Sequence, residues 1–292
     1  MARKVKKDDE KNHRGQVKPL KVEDFSPPPA EFFRKLTQPL RDYFTPEFIG
    51  LEKIEAGKPA LYVSNHTIYG ITDWTLFMAE VYRKKKVFLR TLSDNMHYTV
   101  PVWRELVEYF GMVPGSPETC SKLMENRQHI LVFPGGGREV FRRKKEKYSL
   151  QWKKRTGFAH MAIQHGYDII PVAQVGGDDT YDILADADDL QGTLFGKFLE
   201  SSGIISDEKK AEYIPPLSKG LLGTFLPKPV KLYFSAGDRI STSEYAGDIK
   251  EEHLWAVRDK TELAMTQEII RLLEHRGKDN SVGLLRKLLT KI

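Results

Sequence analysis

Three short segments of this sequence carry side chains that could do chemistry, and each follows a run of apolar residues. The first is Val63-Ser64-Asn65-His66-Thr67-Ile68-Tyr69-Gly70-Ile71-Thr72-Asp73. An imidazole can take a proton near neutral pH, and an acid close by can hold its tautomer and stabilise the cation. His66 and Asp73 are therefore a candidate general base and its orienting carboxylate, with Asn65 a candidate lining residue. Equally, Asn65 and His66 can shape a turn while Asp73 caps a helix beginning at Trp74.

The second segment is Phe133-Pro134-Gly135-Gly136-Gly137-Arg138-Glu139. Glycines let backbone N–H groups come close to an anion, and a guanidinium offers a fixed fork of donors. Gly135, Gly136 and Arg138 are candidate phosphate-binding residues, and Glu139 a candidate lining residue. The alternative is a tight glycine turn with an incidental Arg–Glu pair. The third segment, Ile169-Ile170-Pro171-Val172, sets a proline into a strand. Pro171 either lines a pocket or marks an edge or bulged strand.

These segments need elements to position them. Apolar runs at 60–64, 87–91, 129–133, 169–175 and 230–234 read as buried strands. Helical apolar stripes at 73–82, 102–110, 116–126 and 151–165 lie between them, and a long helix is expected over 251–275. The alternation predicts an α/β fold: a single domain with a mainly parallel central sheet flanked by helices, whose C-terminal strand edge collects ligands. The expected organisation is a disordered basic arm at 1–29, an amphipathic helical segment at 30–48 that Pro39 splits or kinks, a core domain at 49–278 and a basic amphipathic tail at 279–292.

At 292 residues, with 40% hydrophobic and 11% aromatic content, the chain can bury a large core. A mean hydropathy of −0.46 and no long apolar stretch argue against spanning helices. A lone cysteine, Cys120, excludes an internal disulfide and any all-cysteine metal site. With no apolar signal segment at the N-terminus, a cytoplasmic setting is expected, at the cytoplasmic face of a membrane. The net charge of +6 is concentrated: residues 142–155 hold eight Lys/Arg against one Glu, and residues 83–86 are all basic. Such runs suit phosphate-bearing partners or are solvated surface.

No G-x-S-x-G elbow, P-loop or H-E-x-x-H occurs. Asp178-Asp179 reads as a solvated turn rather than a divalent-metal site. The basic runs lack interleaved aromatics and no recognition-helix motif is present, so nucleic acid is not an expected partner.

Taken together, the N-H block with a following Asp, the F-P-G-G-x-R-E block and the I-I-P-V strand resemble, in that order, the glycerolipid and lysophospholipid acyltransferase superfamily. Pro134-Gly135-Gly136-Gly137-Arg138-Glu139 and Trp152-Lys153-Lys154-Arg155-Thr156-Gly157-Phe158-Ala159 resemble the branch of diacylglycerol acyltransferases and phytyl ester synthases. Lys231-Leu232-Tyr233-Phe234-Ser235-Ala236-Gly237 resembles a later family element, so that the resemblance covers roughly residues 45–275.

The resemblance implies acyl transfer from a thioester, acyl-CoA or acyl-carrier protein, to a lipid hydroxyl. His66 would be the base, Asp73 its partner, and Gly135, Gly136 and Arg138 the phosphate site. It implies neither a metal nor a bound cofactor. One departure is notable: the family places the acid where this chain has Ile71. Asp73 is seven residues beyond His66, about 10 Å along a continuous helix, so Gly70 must break the segment for the two to meet.

Greasy substrates imply an anionic membrane surface as a partner. Residues 32–44, 217–226 and 284–292 are candidate interfacial elements. A catalytically inactive lipid-binding protein on the same fold is the alternative reading.

Overall fold

A computed structural model describes residues 25–70, 73–190, 193 and 214–290, apart from the side chains of Asp73 and Leu190. Most of the expected basic arm and Ile71 lie outside the described residues. The strands are β1 (Glu47–Ile49), β2 (Ala60–Ser64), β3 (Leu89–Ser93), β4 (Met112–Pro114), β5 (His129–Val132), β6 (Asp168–Val175), β7 (Asp182–Ala185), β8 (Leu217–Lys219) and β9 (Tyr233–Ala236). The helices are α1 (Ala30–Phe44), α2 (Asp73–Lys85), α3 (Pro101–Tyr109), α4 (Pro117–Glu125), α5 (Gly137–Val140), α6 (Gly157–His165), α7 (Ala187–Leu190), α8 (Glu251–Lys278) and α9 (Leu284–Thr290).

Seven strands form one sheet in the order β1-β9-β6-β2-β5-β3-β4. Every pairing is parallel except β6 with β9. The expected α/β class with a mainly parallel sheet is what the chain adopts. A strand covered on both faces must be apolar on both, and β2 and β5 are buried at every position.

Alternate residues divide between two layers. Leu61, Val63, Ile130 and Ile169 face α4, α6 and α8. Tyr62, Leu131, Ile170 and Val172 face α1 and α2, meeting Phe33, Phe44, Leu76 and Phe77.

Local chemistry explains where elements differ from expectation. Pro39 lies inside α1, which remains one helix instead of splitting. Phe25 is ordered rather than part of a free arm, with the Arg90 guanidinium 3.9 Å from its ring centroid. The sheet starts at Glu47, ahead of the expected boundary at 49. The helix expected from 151 begins at Gly157 instead. Gln151 gives its N–H to Glu139 at 2.8 Å, Trp152 is fully buried, and Lys153 has φ +49°.

The strand expected at 230–234 starts late, at Tyr233, after Pro227 and Pro229, which have no N–H to donate. α2 runs on to Lys85 because Glu80 pairs with Arg83 and Lys84 along its last turn.

The edge strand β1 depends on a close approach at Gly50, which has φ +75°; a Cβ there would sit 2.2 Å from the Ala236 carbonyl oxygen. Gly50→Ala should therefore destabilise the protein by more than the roughly 1–2 kcal/mol of the left-handed backbone alone. Chemical denaturation checks this, and an unchanged midpoint would refute it.

Candidate active site

Because β2, β5 and β6 are adjacent and parallel, the segments that follow them leave from one edge of the sheet. The turn after β2 carries His66, that after β5 carries Gly135–Glu139, and that after β6 carries Asp178. In open α/β sheets this edge is where ligands bind.

The His66 turn is fixed through its backbone. His66 N–H donates to Glu139 Oε2 at 2.7 Å, and the His66 carbonyl accepts from Arg142 Nη2 at 2.6 Å. Ile68 N–H donates to Asp178 Oδ1 at 3.1 Å, and Tyr69 N–H to the Val140 carbonyl at 3.1 Å.

The segment breaks at Gly70: Tyr69 and Gly70 have φ +59° and +46°. The break has a steric cause: a Cβ on Gly70 would lie 1.9 Å from His66 Cε1, so only glycine lets the backbone pass beside the ring. Asp73 stands at the first position of α2; its side chain lies outside the described residues.

The imidazole rests on Phe133, centroids 4.3 Å apart. His66 as a residue is half-buried, and its Nδ1 is buried with no hydrogen-bond partner among the described residues. Desolvation, followed by the charge of Arg142 and then His97, pushes its pKa down to about 3. The ring is thus neutral at physiological pH.

The remaining sequence candidates separate into groups. Glu139 is fully buried and bridges two segments, accepting from His66 N–H and Gln151 N–H. Burial raises its pKa to about 7, against the pull of Arg142 and those two N–H groups. Gly135 lies directly against it: a Cβ would be 2.0 Å from Glu139 Cδ. Gly136 has φ +52°, and Arg155 Nη1 holds the turn from outside through the carbonyls of Pro134 (2.8 Å) and Gly135 (2.5 Å). The Arg138 guanidinium forms a two-pronged pair with Glu146.

Asn65 is buried and clamps β6, bonding the Gln174 carbonyl at 3.1 Å and N–H at 2.9 Å. Pro171 is buried in a central strand, with its ring beside Gly237, where a Cβ would lie 2.8 Å from its Cγ, in the layer opposite the one that receives Phe133.

Three features were not legible in the sequence. Arg142 is 1% exposed and its Nε lies 3.0 Å from Asp178 Oδ1. Asp178 is buried and takes Tyr148 N–H at 2.9 Å as well as Ile68 N–H, so it is not a solvated turn residue. Burial raises the Asp178 carboxyl above its usual range despite Arg142. Three more cations of the run at 142–155 pair with acids: Arg143 with Asp188, Lys144 with Asp189 at 2.7 Å, and Lys147 with Asp179 at 2.8 Å. Those acids lie some 40 residues downstream, where spacing gave no sign of them.

Comparison with known proteins agrees with this geometry. Residues 45–175 match the family model described as Acyltransferase. Over these residues the chain is similar to that family. The chain is 28% identical over 221 residues to phytyl ester synthase 2 of Arabidopsis thaliana, covering 69% of this chain and 30% of that protein. It is 32% identical over 126 residues to the bovine DGAT1/2-independent enzyme synthesizing storage lipids, covering 43% and 37%. The chain thus spans well under half the length of these relatives.

The structure of PlsC, a 1-acyl-sn-glycerophosphate acyltransferase from Thermotoga maritima, superposes with a TM-score of 0.53 at 15% identity. That match covers 83% of this chain and 79% of PlsC, and it shows the shared fold. Among the described residues no helix is long and apolar enough to cross a membrane.

Two outcomes are expected. Gly70→Ala should cut kcat/KM by more than about tenfold while costing only roughly 1–2 kcal/mol of stability, since the clash falls on the His66 ring. Unchanged turnover would refute that role for Gly70. The lowered His66 pKa has a definite sign: the unfolded chain takes up this proton near pH 6.5, the folded one only near pH 3. His66 therefore costs stability as pH falls through that window, and His66→Gln should flatten the loss in acid unfolding titrations. An identical acid profile would contradict it.

Proposed function

We propose that this protein transfers a fatty acyl group from a thioester, acyl-CoA or acyl-carrier protein, to a hydroxyl of a glycerolipid, lysophospholipid or lipid alcohol. The observation that carries the reading is the His66 ring. Its backbone is held on both sides, its imidazole is neutral, and Nδ1 awaits an acceptor at the ligand-collecting edge of a family fold.

A ring nitrogen of His66 takes the proton of the acceptor hydroxyl as the oxygen attacks the thioester carbonyl. The tetrahedral intermediate collapses, the C–S bond breaks, and the imidazolium returns the proton to the departing thiolate. Asp73 would complete the pair by accepting from Nδ1–H, which raises the basicity of the other nitrogen. The broken segment at Gly70 supports that closure.

Gly135, Gly136 and Arg138 would receive a phosphate of donor or acceptor, with Glu146 yielding the guanidinium as the anion enters. Glu139, already bonded to two N–H groups, is read here as a positioning residue. The names of the relatives support lipid acceptors, and Glu139 after Arg138 favours a neutral acceptor such as a diacylglycerol or a long-chain alcohol. Neither a metal nor a bound cofactor enters this scheme.

The test is thiol release and lipid product formation with a long-chain acyl-CoA, and separately acyl-carrier protein, against lysophospholipids, diacylglycerol and fatty alcohols. His66→Ala should lose acceptor-dependent turnover by about 10²–10⁴-fold. Asp73→Asn should give a smaller defect in kcat with KM unchanged. Lipid binding without turnover on any donor–acceptor pair would instead favour the inactive lipid-binding protein.

A further inference from the structure

Two segments about 60 residues apart in the chain meet at one surface. The 3-10 turn Leu221–Gly223, which follows β8, packs against α9. From this joint surface Leu222, Phe225, Leu226, Leu284, Leu285 and Leu288 project outward, each between 63% and 85% exposed. The loop is rigid. Gly220 N–H donates to the Thr224 carbonyl and Leu221 N–H to that of Leu226, both at 2.7 Å, so the turn closes its own backbone bonds. Leu222 holds φ +51°, an unfavourable backbone for a leucine that turns its side chain into solvent.

Charge identifies the occupant. Residues 214–230 and 281–290 contain no Asp or Glu, while Lys219, Arg286 and Lys287 border the leucines. A second exposed apolar face, on α3, is of different character: Glu105 lines the recess formed by Val100, Val102, Trp103, Leu106 and Tyr109. An apolar tip bordered by Lys219, Arg286 and Lys287, with Asp182 opposite Lys219 bonded to Lys228, matches an anionic bilayer, where apolar insertion and headgroup attraction add.

We propose that the 217–226 loop and α9 together form a face that docks this protein on an anionic lipid bilayer. The face is tied to the candidate active site. Tyr69, three residues beyond His66, donates its hydroxyl to the Pro216 carbonyl at 2.8 Å and lies 2.7 Å from Ser218 Oγ. Tyr181 packs edge-on against Tyr69 at 5.1 Å and donates to the Phe225 carbonyl at 3.0 Å. The segment that would meet the membrane is thus anchored on the His66 turn.

Flotation of the full chain with phosphatidylcholine vesicles, with and without phosphatidylglycerol, tests the proposal. Binding is read without turnover, so it stands or falls separately from acyl transfer. The wild type should float with the anionic vesicles and release at high salt. Leu222→Asp with Phe225→Asp, both at exposed positions, should lower partitioning at least roughly tenfold with unchanged thermal unfolding. Lys219→Glu with Lys287→Glu should weaken binding to anionic vesicles only. Val102→Asp on α3 should bind as the wild type does.

Loss of binding in the α3 variant with retention in the Leu222/Phe225 variant would overturn the assignment. So would absence of vesicle binding together with a self-associating wild type, by sedimentation velocity, that the Leu222/Phe225 variant renders monomeric. That result would make the face an interface between two copies of this chain.

Discussion

The arrangement at the strand edge depends on one buried guanidinium. Arg142 reaches the His66 carbonyl, the Ser149 and Glu146 carbonyls and the Asp178 carboxylate from a nearly solvent-free position. Burying a charge costs several kcal/mol, and the cost is offset only when the partner charge and the hydrogen bonds are all present. Here the partner charge and three carbonyls are present, and the contacts run to three segments: the turn after β2, the loop before α6 and the turn after β6. Only a planar fork with five donors can serve three directions at once; a lysine ammonium has three donors on a flexible stem. Asp178 closes the circuit by holding Ile68 N–H and Tyr148 N–H. The energy of this pair therefore goes into register between three loops more than into stability.

Glu139 does with hydrogen bonds what Arg142 does with charge. Its two oxygens face two N–H donors, a geometry that favours the carboxylate, while burial favours the neutral acid, and the balance lies at about 7. Gly135 is the counterpart of that geometry, because any side chain there would occupy the carboxyl's place. The glycine-rich block is thus spent partly on close packing around Glu139. That leaves Gly136, with its positive φ, and Arg138 as the parts of the block that face the question of anion binding.

Much of this was readable from residue order. Strands covered on both faces must be continuously apolar, so β2, β5 and β6 stood out, and with them the edge on which His66 and the glycines lie. Tertiary pairing was not readable. Arg142 is one of eight cations that look alike in sequence, yet it is buried, and three of the others pair with acids at 179–189. Asp178 follows two glycines and so reads as a turn, because nothing local shows that a guanidinium will cover it. The helix expected from Gln151 failed for the same reason: its backbone N–H is claimed by Glu139, a contact with no periodicity to betray it. Pro171 and Asn65 carry the family pattern, yet their contacts are with the sheet and α8 rather than with His66.

The way His66 is held bears on its chemistry. Every bond that positions it falls on its backbone or on neighbours in the turn, and none falls on Nδ1 among the described residues. A base positioned through its ring would have its tautomer and basicity fixed by the same contact. Here position and basicity are separate: the Arg142–Glu139 frame sets where the ring stands, and whatever reaches Nδ1 sets how strongly the ring holds a proton. Without an acceptor the ring is desolvated and weakly basic. With a carboxylate there, the cation formed during proton transfer is stabilised where desolvation now opposes it. The frame itself is built from residues 139, 142 and 178.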